Sequence, residues 1–254
     1  GEASSGRSAA VEEWTGAGVP VGAWATGGVL NTARLGQGSA SFSANTASLI
    51  FGGGAPGATA ATEAYNGTSW TEVNDLNLAR ISIGGAGIQT SALACGGNSP
   101  SGNETELYNG TNWTEVNNLG TPRSALAAAG ATNTAAIAFG GNPVTAVTES
   151  WNGTNWTEVN DLNTGRYSIG AAGADNTAAL AFGGDTPPTK ALTEDWNGVS
   201  WAEVGDLSTA RYDGGASGTS ASALFAGGET SPGLTTATEE WSSTSNVTKT
   251  VSTD

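Results

Sequence analysis

The chain has 254 residues, a net charge of −15, a single cysteine and neither histidine nor methionine. Phosphate contacts need clustered Lys and Arg, so nucleic acid and anionic membrane are excluded as partners. The lack of histidine removes ordinary zinc, copper and non-haem iron sites, Ser-His-Asp triads and Cys-His dyads, so no cofactor is expected.

Hydrophobic residues reach 37% with nine tryptophans, too much for a disordered chain. No apolar run is long enough to span a bilayer. Gly1 to Arg7 reads as a leftover tail, with residues 1–8 disordered and the whole read as a processed piece of a longer product. Val11 to Trp14 then opens a phrase that recurs along the chain. A Gly/Pro-rich connection follows, and Ala23 to Arg34 aligns without gaps to Ser69 to Arg80.

The full phrase is clearest at Thr148 to Arg166, TESWNGTNWTEVNDLNTGR, and recurs at Thr62 to Arg80, Thr105 to Arg123 and Thr193 to Arg211. Apolar and polar residues alternate on both sides of Asn-Gly, the pair that takes φ > 0 in a two-residue hairpin. The second tryptophans, Trp70, Trp113, Trp156 and Trp201, fall 43, 43 and 45 residues apart. Self-similarity at that period marks a repeat array whose units share one assembly. One domain is therefore expected over residues 9–254.

After each of Arg34, Arg80, Arg123, Arg166 and Arg211 comes a strand of small residues, then a short turn (Gln89-Thr90, Thr132-Asn133, Asp175-Asn176). An apolar strand ending in Gly-Gly follows, as in SLIFGG (Ser48 to Gly53) and ALFAGG (Ala223 to Gly228). Cys95 takes a slot that is Phe139 or Phe182 elsewhere and reads as a small buried hydrophobe. A variable loop then leads back into the hairpin phrase.

Four short antiparallel strands per unit make a β-propeller blade. Five small strands and five Gly-Gly strands predict an all-β, five-bladed propeller, with repeats near 35–79, 80–122, 123–165, 166–210 and 211–254. The small strand is placed innermost and the Trp-x-Glu strand outermost, with Glu72, Glu115, Glu158 and Glu203 in solvent. Residues 9–34 are the expected closing segment, its strand around Trp24 completing the last blade beside the strand ending at Trp241. In the alternative, Val247 to Ser252 closes the ring.

Gly-Gly, then an aromatic, then a tryptophan and an Arg opening the next unit, here Gly96-Gly97, Tyr108, Trp113 and Arg123, resembles the kelch repeat. The resemblance runs from about Val11 to Trp241. The spacing of five from the aromatic to Trp is tighter than the usual kelch pattern, and the Asn-Gly-Thr turn accounts for it. The near-identical units also resemble kelch-like arrays in bacteriophage tail and surface proteins.

Candidate ligand-binding residues are Arg34, Arg80, Arg123, Arg166 and Arg211, which could ring one mouth of the channel and bind a carboxylate, sulfate or acidic sugar. The competing reading pairs each with a third-strand glutamate: Glu63, Glu106, Glu149, Glu194 or Glu239. Trp70, Trp113, Trp156 and Trp201 read as packing between sheets rather than sugar platforms. Asp75, Asp161 and Asp206 read as turn residues rather than calcium ligands, and the Asn-x-Thr sequons at Asn66, Asn109 and Asn152 coincide with turns. Recognition is expected in the loops Ala55 to Ala61, Asn98 to Glu104, Asn142 to Val147, Asp185 to Leu192 and Glu229 to Ala237.

The expected function is a non-enzymatic recognition or structural module, taking a glycan or protein ligand on a virion or in an extracellular setting. The alternatives are a sialidase-like enzyme, since Tyr167 and Tyr212 each follow a ring arginine, and a kelch-type interaction adaptor.

Overall fold

The computed structural model describes residues 24–40, 42, 44–54 and 56–243, together with the backbone of three short strands before residue 15. All its secondary structure is β. Strands β1 (Glu2–Ala3) and β2 (Gly6–Arg7) pair with each other, as do β3 (Glu12–Trp14) and β4 (Trp24–Thr26). Four four-stranded antiparallel blades follow. They are β5 to β8 (Gly38–Ser39, Leu49–Phe51, Thr62–Tyr65, Trp70–Val73) and β9 to β12 (Gly84–Ile88, Ser91–Cys95, Thr105–Tyr108, Trp113–Glu115). Next come β13 to β16 (Ala127–Thr132, Ala135–Phe139, Thr148–Trp151, Trp156–Glu158) and β17 to β20 (Gly170–Asp175, Ala178–Phe182, Thr193–Trp196, Trp201–Glu203). The fifth blade contains β21 (Gly215–Gly218), β22 (Ser222–Ala226) and β25 (Thr238–Ser242), with a small hairpin of β23 (Glu229–Thr230) and β24 (Gly233–Leu234) in its loop.

The molecule is thus a five-bladed β-propeller. The innermost strands line a channel to which every blade contributes. Small residues are required there: a Cβ on Gly85 would lie 2.4 Å from the Ser39 carbonyl oxygen of the blade before. The outer glutamates Glu72, Glu115, Glu158 and Glu203 are exposed, as expected. The inner turns of the third and fourth blades fall at 133–134 and 176–177, one residue later than expected. Irregularities between Ala129 and Thr132 and between Gly173 and Asp175 consume the extra residue.

The expected ladder between the Trp24 strand and the last blade is not formed. Strand β4 pairs instead with β3, the first half of its own hairpin phrase, with Trp14 opposite Trp24. Among the described residues the outer edge of β25 carries no strand. The alternative closing stretch, Val247 to Ser252, lies outside the described residues.

Tryptophans fill the spaces between blades. The Trp113 indole donates to Thr62 Oγ1 of the preceding blade at 3.1 Å and meets Phe51 edge-on at 4.8 Å. Trp201 does the same with Thr148 and Phe139, at 3.1 and 4.9 Å. Trp156 donates to Thr105 at 3.0 Å and packs in the cluster that contains Cys95. Cys95 is fully buried, and burial pushes its thiol up to about 12.

The Gly-Gly pairs bring blades together through backbone. The second glycine, Gly53, Gly97, Gly141 or Gly184, donates its N–H to the carbonyl of the arginine opening the next blade, at 2.8 to 3.0 Å. The first glycine sits at positive φ, +65° at Gly183, where a Cβ would lie 2.4 Å from the Arg211 carbonyl oxygen. Left-handed backbone alone costs an alanine about 1–2 kcal/mol. Gly183→Ala is therefore expected to lower the unfolding free energy by about 2 kcal/mol or more, once backbone displacement adds to that cost. Urea unfolding checks this, and a change below about 0.5 kcal/mol would contradict it.

Candidate functional site at the channel mouth

The five arginines are buried, each at most 3% exposed. Their guanidinium groups turn into the blades and pair with the third-strand glutamates: Arg34 with Glu63, Arg80 with Glu106, Arg123 with Glu149, Arg166 with Glu194 and Arg211 with Glu239. Most of the other donors go to carbonyls, while Nε of Arg80, Arg123 and Arg211 is buried without a hydrogen-bond partner among the described residues. Arg80 Nη1 reaches the Gly96 and Glu104 oxygens, and Arg166 reaches those of Gly183, Thr164 and Ala181. None of the five arginines lines the channel cavity. In the first four pairs both side chains are at most 3% exposed, whereas Glu239 is 25% exposed at the incomplete fifth blade.

The second glutamate oxygen is also engaged. Asn77 donates its backbone N–H and its side-chain amide to Glu106 Oε2, at 2.7 and 2.8 Å, and Asn163 repeats this on Glu194. Each carboxylate therefore joins the strand that bears it to the linker arriving from the blade before.

The turn aspartates are likewise occupied: Asp75, Asp161 and Asp206 accept the backbone N–H of Thr62, Thr148 and Thr193 at 3.0 to 3.1 Å. No group of three or more His, Cys, Asp or Glu suited to a metal occurs among the described residues. Asn66, Asn109 and Asn152 sit at exposed hairpin tips, where each Oδ1 accepts two backbone N–H groups of its own turn.

Residues lining the channel come from another position, two after each arginine. Gly36, Ser82, Ala125, Ser168 and Asp213 all have left-handed backbone, with φ between 48° and 62°. Their peptide groups form a belt between blades. Ser82 N–H donates to Gly36 O at 2.7 Å, Ala125 to Ser82 at 2.9 Å, Ser168 to Ala125 at 2.8 Å and Asp213 to Ser168 at 3.3 Å. The cavity they surround measures about 500 Å³, the size of a small-ligand site. Its polar side chains include Gln37, Ser39, Ser82, Ser168 and Asp213.

The variable loops start beside this belt. The residue after each arginine bridges to a residue at the start of the loop: Leu35 to Gly54, Ile81 to Asn98, Ser124 to Asn142, Tyr167 to Asp185 and Tyr212 to Glu229. The bridges of the first three blades carry aliphatic, glycine, hydroxyl and amide residues, whereas those of the last two carry a phenol and a carboxylate each. Tyr167 Oη donates to Asp185 Oδ2 at 2.6 Å, and Thr189 Oγ1 donates to Asp185 Oδ1 at 3.1 Å. The hydrogen bond to Asp185 raises the Tyr167 phenol above its ordinary value, and partial burial adds to it. At Tyr212, burial first and the Glu229 carboxylate second push the phenol up to about 12.

The belt went unread in the sequence, although its positions hold only Gly, Ser, Ala or Asp. The tyrosine–acid pairs were half legible: both tyrosines drew notice, but their partners Asp185 and Glu229 looked like ordinary loop residues.

No family model matches the chain, and no curated protein matches it. Among solved structures, the chain is similar to that of YjhT, with a TM-score of 0.76 at 15% identity over 94% of this chain and 90% of that one. The likeness is one of fold, and it defines the class: a β-propeller.

The Tyr212 phenol provides a test of the mouth. Spectrophotometric titration should show one tyrosine ionising near pH 12 rather than near 10, and Glu229→Gln should lower that value. A titration unchanged by Glu229→Gln would contradict the pairing.

Proposed function

We propose that the protein is a non-enzymatic recognition module of kelch type that binds a glycan or protein ligand at the channel mouth. The observation that carries this reading is the division of labour between frame and loops. The repeated residues of Gly-Gly, Arg and Glu are consumed in holding blades together. The segments that differ between repeats each begin at a bridge one residue before the channel-lining position, as where Tyr167 meets Asp185 and Tyr212 meets Glu229. Loops held by a rigid scaffold are where binding residues concentrate.

The chemistry of the mouth narrows the ligand. Carboxylates and phenols accept and donate hydrogen bonds to hydroxyl groups, while a chain of net charge −15 repels anions. A neutral, hydroxyl-rich glycan fits better than the acidic sugars that free arginines would have favoured. The sialidase-like alternative draws support from Tyr167 and Tyr212, but it needs guanidinium groups facing the ligand, and here all five face glutamates. The acidic surface and near-identical units favour a virion or extracellular setting, such as a bacteriophage tail or surface protein, over an intracellular adaptor.

A glycan array tests the reading, with the wild type beside a Tyr167→Phe, Asp185→Asn variant. Binding of neutral glycans, lost by at least tenfold in the variant at unchanged melting temperature, is the expected result. Binding confined to sialylated or sulfated glycans, or binding indifferent to the two substitutions, would overturn the mouth as the site.

A further inference from the structure

The channel wall differs from blade to blade. The third blade contributes only Ala125, Leu126, Ala127 and Ala128 to it. The first blade brings Gln37 and Ser39 and the fifth brings Asp213, all three exposed. In a ring of five, the first and fifth blades stand farthest from the third. The cavity of about 500 Å³ therefore has an apolar flank and, across from it, a polar one. Among the described residues that line it, Asp213 is the one that carries a charge.

Neither the backbone nor the frame accounts for that charge. Gly36, Ser82, Ala125 and Ser168 hold the same left-handed position in the other four blades without a carboxylate. The five arginines of the frame are paired with the third-strand glutamates. Asp213 follows Tyr212 directly, and its N–H bonds the carbonyl of Ser168, the residue after Tyr167, at 3.3 Å. Its charge adds to the rise of both phenols, after the Asp185 hydrogen bond at Tyr167 and burial at Tyr212. Asp185 and Glu229 bond those phenols, so the carboxylate that borders the channel itself is Asp213.

We propose that the channel takes a sugar bearing a protonated primary amine, with the ammonium on Asp213 and the apolar ring face toward the third blade. This rests on the channel mouth being the glycan site and adds which sugar enters it. An ammonium presents three donors and no acceptor, and Asp213, Gln37 and Ser39 supply acceptors on one flank. A hydrogen bond between two charged groups is roughly twice as strong as one between neutral groups. The net charge of −15 draws cations toward the protein, and Asp213 fixes where the amine settles. The N-acetylated form of the same sugar keeps its hydroxyl groups but loses the charge, so it binds the same cavity more weakly.

The test compares the tetramers of glucosamine and of N-acetylglucosamine by calorimetry on the full chain, in mildly acidic buffer where the amines are protonated. The wild type is expected to bind the glucosamine tetramer about tenfold tighter, the worth of one hydrogen bond to a charged group. Asp213→Asn should remove that advantage at unchanged melting temperature. Asparagine accepts left-handed backbone, and the substitution removes only one of fifteen net charges, so general attraction to the acidic surface persists. An advantage that survives in Asp213→Asn would trace to that general attraction, and equal affinities in the wild type would mean that no amine is read. Either overturns the inference, as does binding of neither tetramer. The Tyr167→Phe, Asp185→Asn variant separates this failure from that of the site: loss of both tetramers there keeps the mouth as the glycan site even when the amine preference is absent.

Discussion

The structure depends on one repeated interaction, the buried pairing of an arginine at the entry of each blade with a glutamate on that blade's third strand. The arginine is held from both sides. Its carbonyl receives the N–H of the preceding blade's second glycine, as Arg80 does from Gly53. Its guanidinium bonds the glutamate and carbonyls of its own blade, as Arg80 does with Glu106, Gly96 and Glu104. One residue thus fixes the angle between two sheets. Burying both charges is costly, and the cost is offset by the ion pair together with the carbonyl and N–H groups that bond both partners, although Nε of Arg80, Arg123 and Arg211 stays without a hydrogen-bond partner among the described residues.

This constraint explains why the units are so alike and where they differ. Any change to Gly-Gly, Arg or Glu leaves an uncompensated charge or a backbone clash between blades. The left-handed residues beyond the arginines follow from the same geometry. The chain must turn sharply from the buried guanidinium into the innermost strand, and the belt of N–H to carbonyl bonds offsets backbone strain of about 1–3 kcal/mol per residue. Loops that begin just past this belt are free of it. Asp185 and Glu229 can replace Asn98 and Asn142 there without disturbing a single pair of the frame. Recognition is therefore assigned to the part of the repeat that the frame does not use.

The sequence made the frame legible because the period was short and the phrase nearly identical. Strand order, blade number, the outer glutamates and the tryptophans between sheets all follow from Asn-Gly turns, alternation and Gly-Gly spacing. The arginines were harder. Their spacing put them at the channel entry, where one Arg and one Glu per unit left both a ligand site and a pairing open, and the ion pairs settle it for the pairing. The belt residues gave no chemical signal beyond small size, and Tyr167–Asp185 joins residues 18 apart whose counterparts in the first three blades carry neither a phenol nor a carboxylate. The pairing of β4 was misjudged because the phrase specifies a hairpin first and its place in the ring second.

Chemical denaturation of Arg166→Ala measures the interlock most directly. Glu194 would be left buried and unpaired, so a loss of about 3–5 kcal/mol is predicted. Adding Glu194→Ala should then cost far less than it does in the wild type, as a coupled pair requires. A loss below about 1 kcal/mol, with additive effects of the two substitutions, would contradict the claim that this pair holds the blades together.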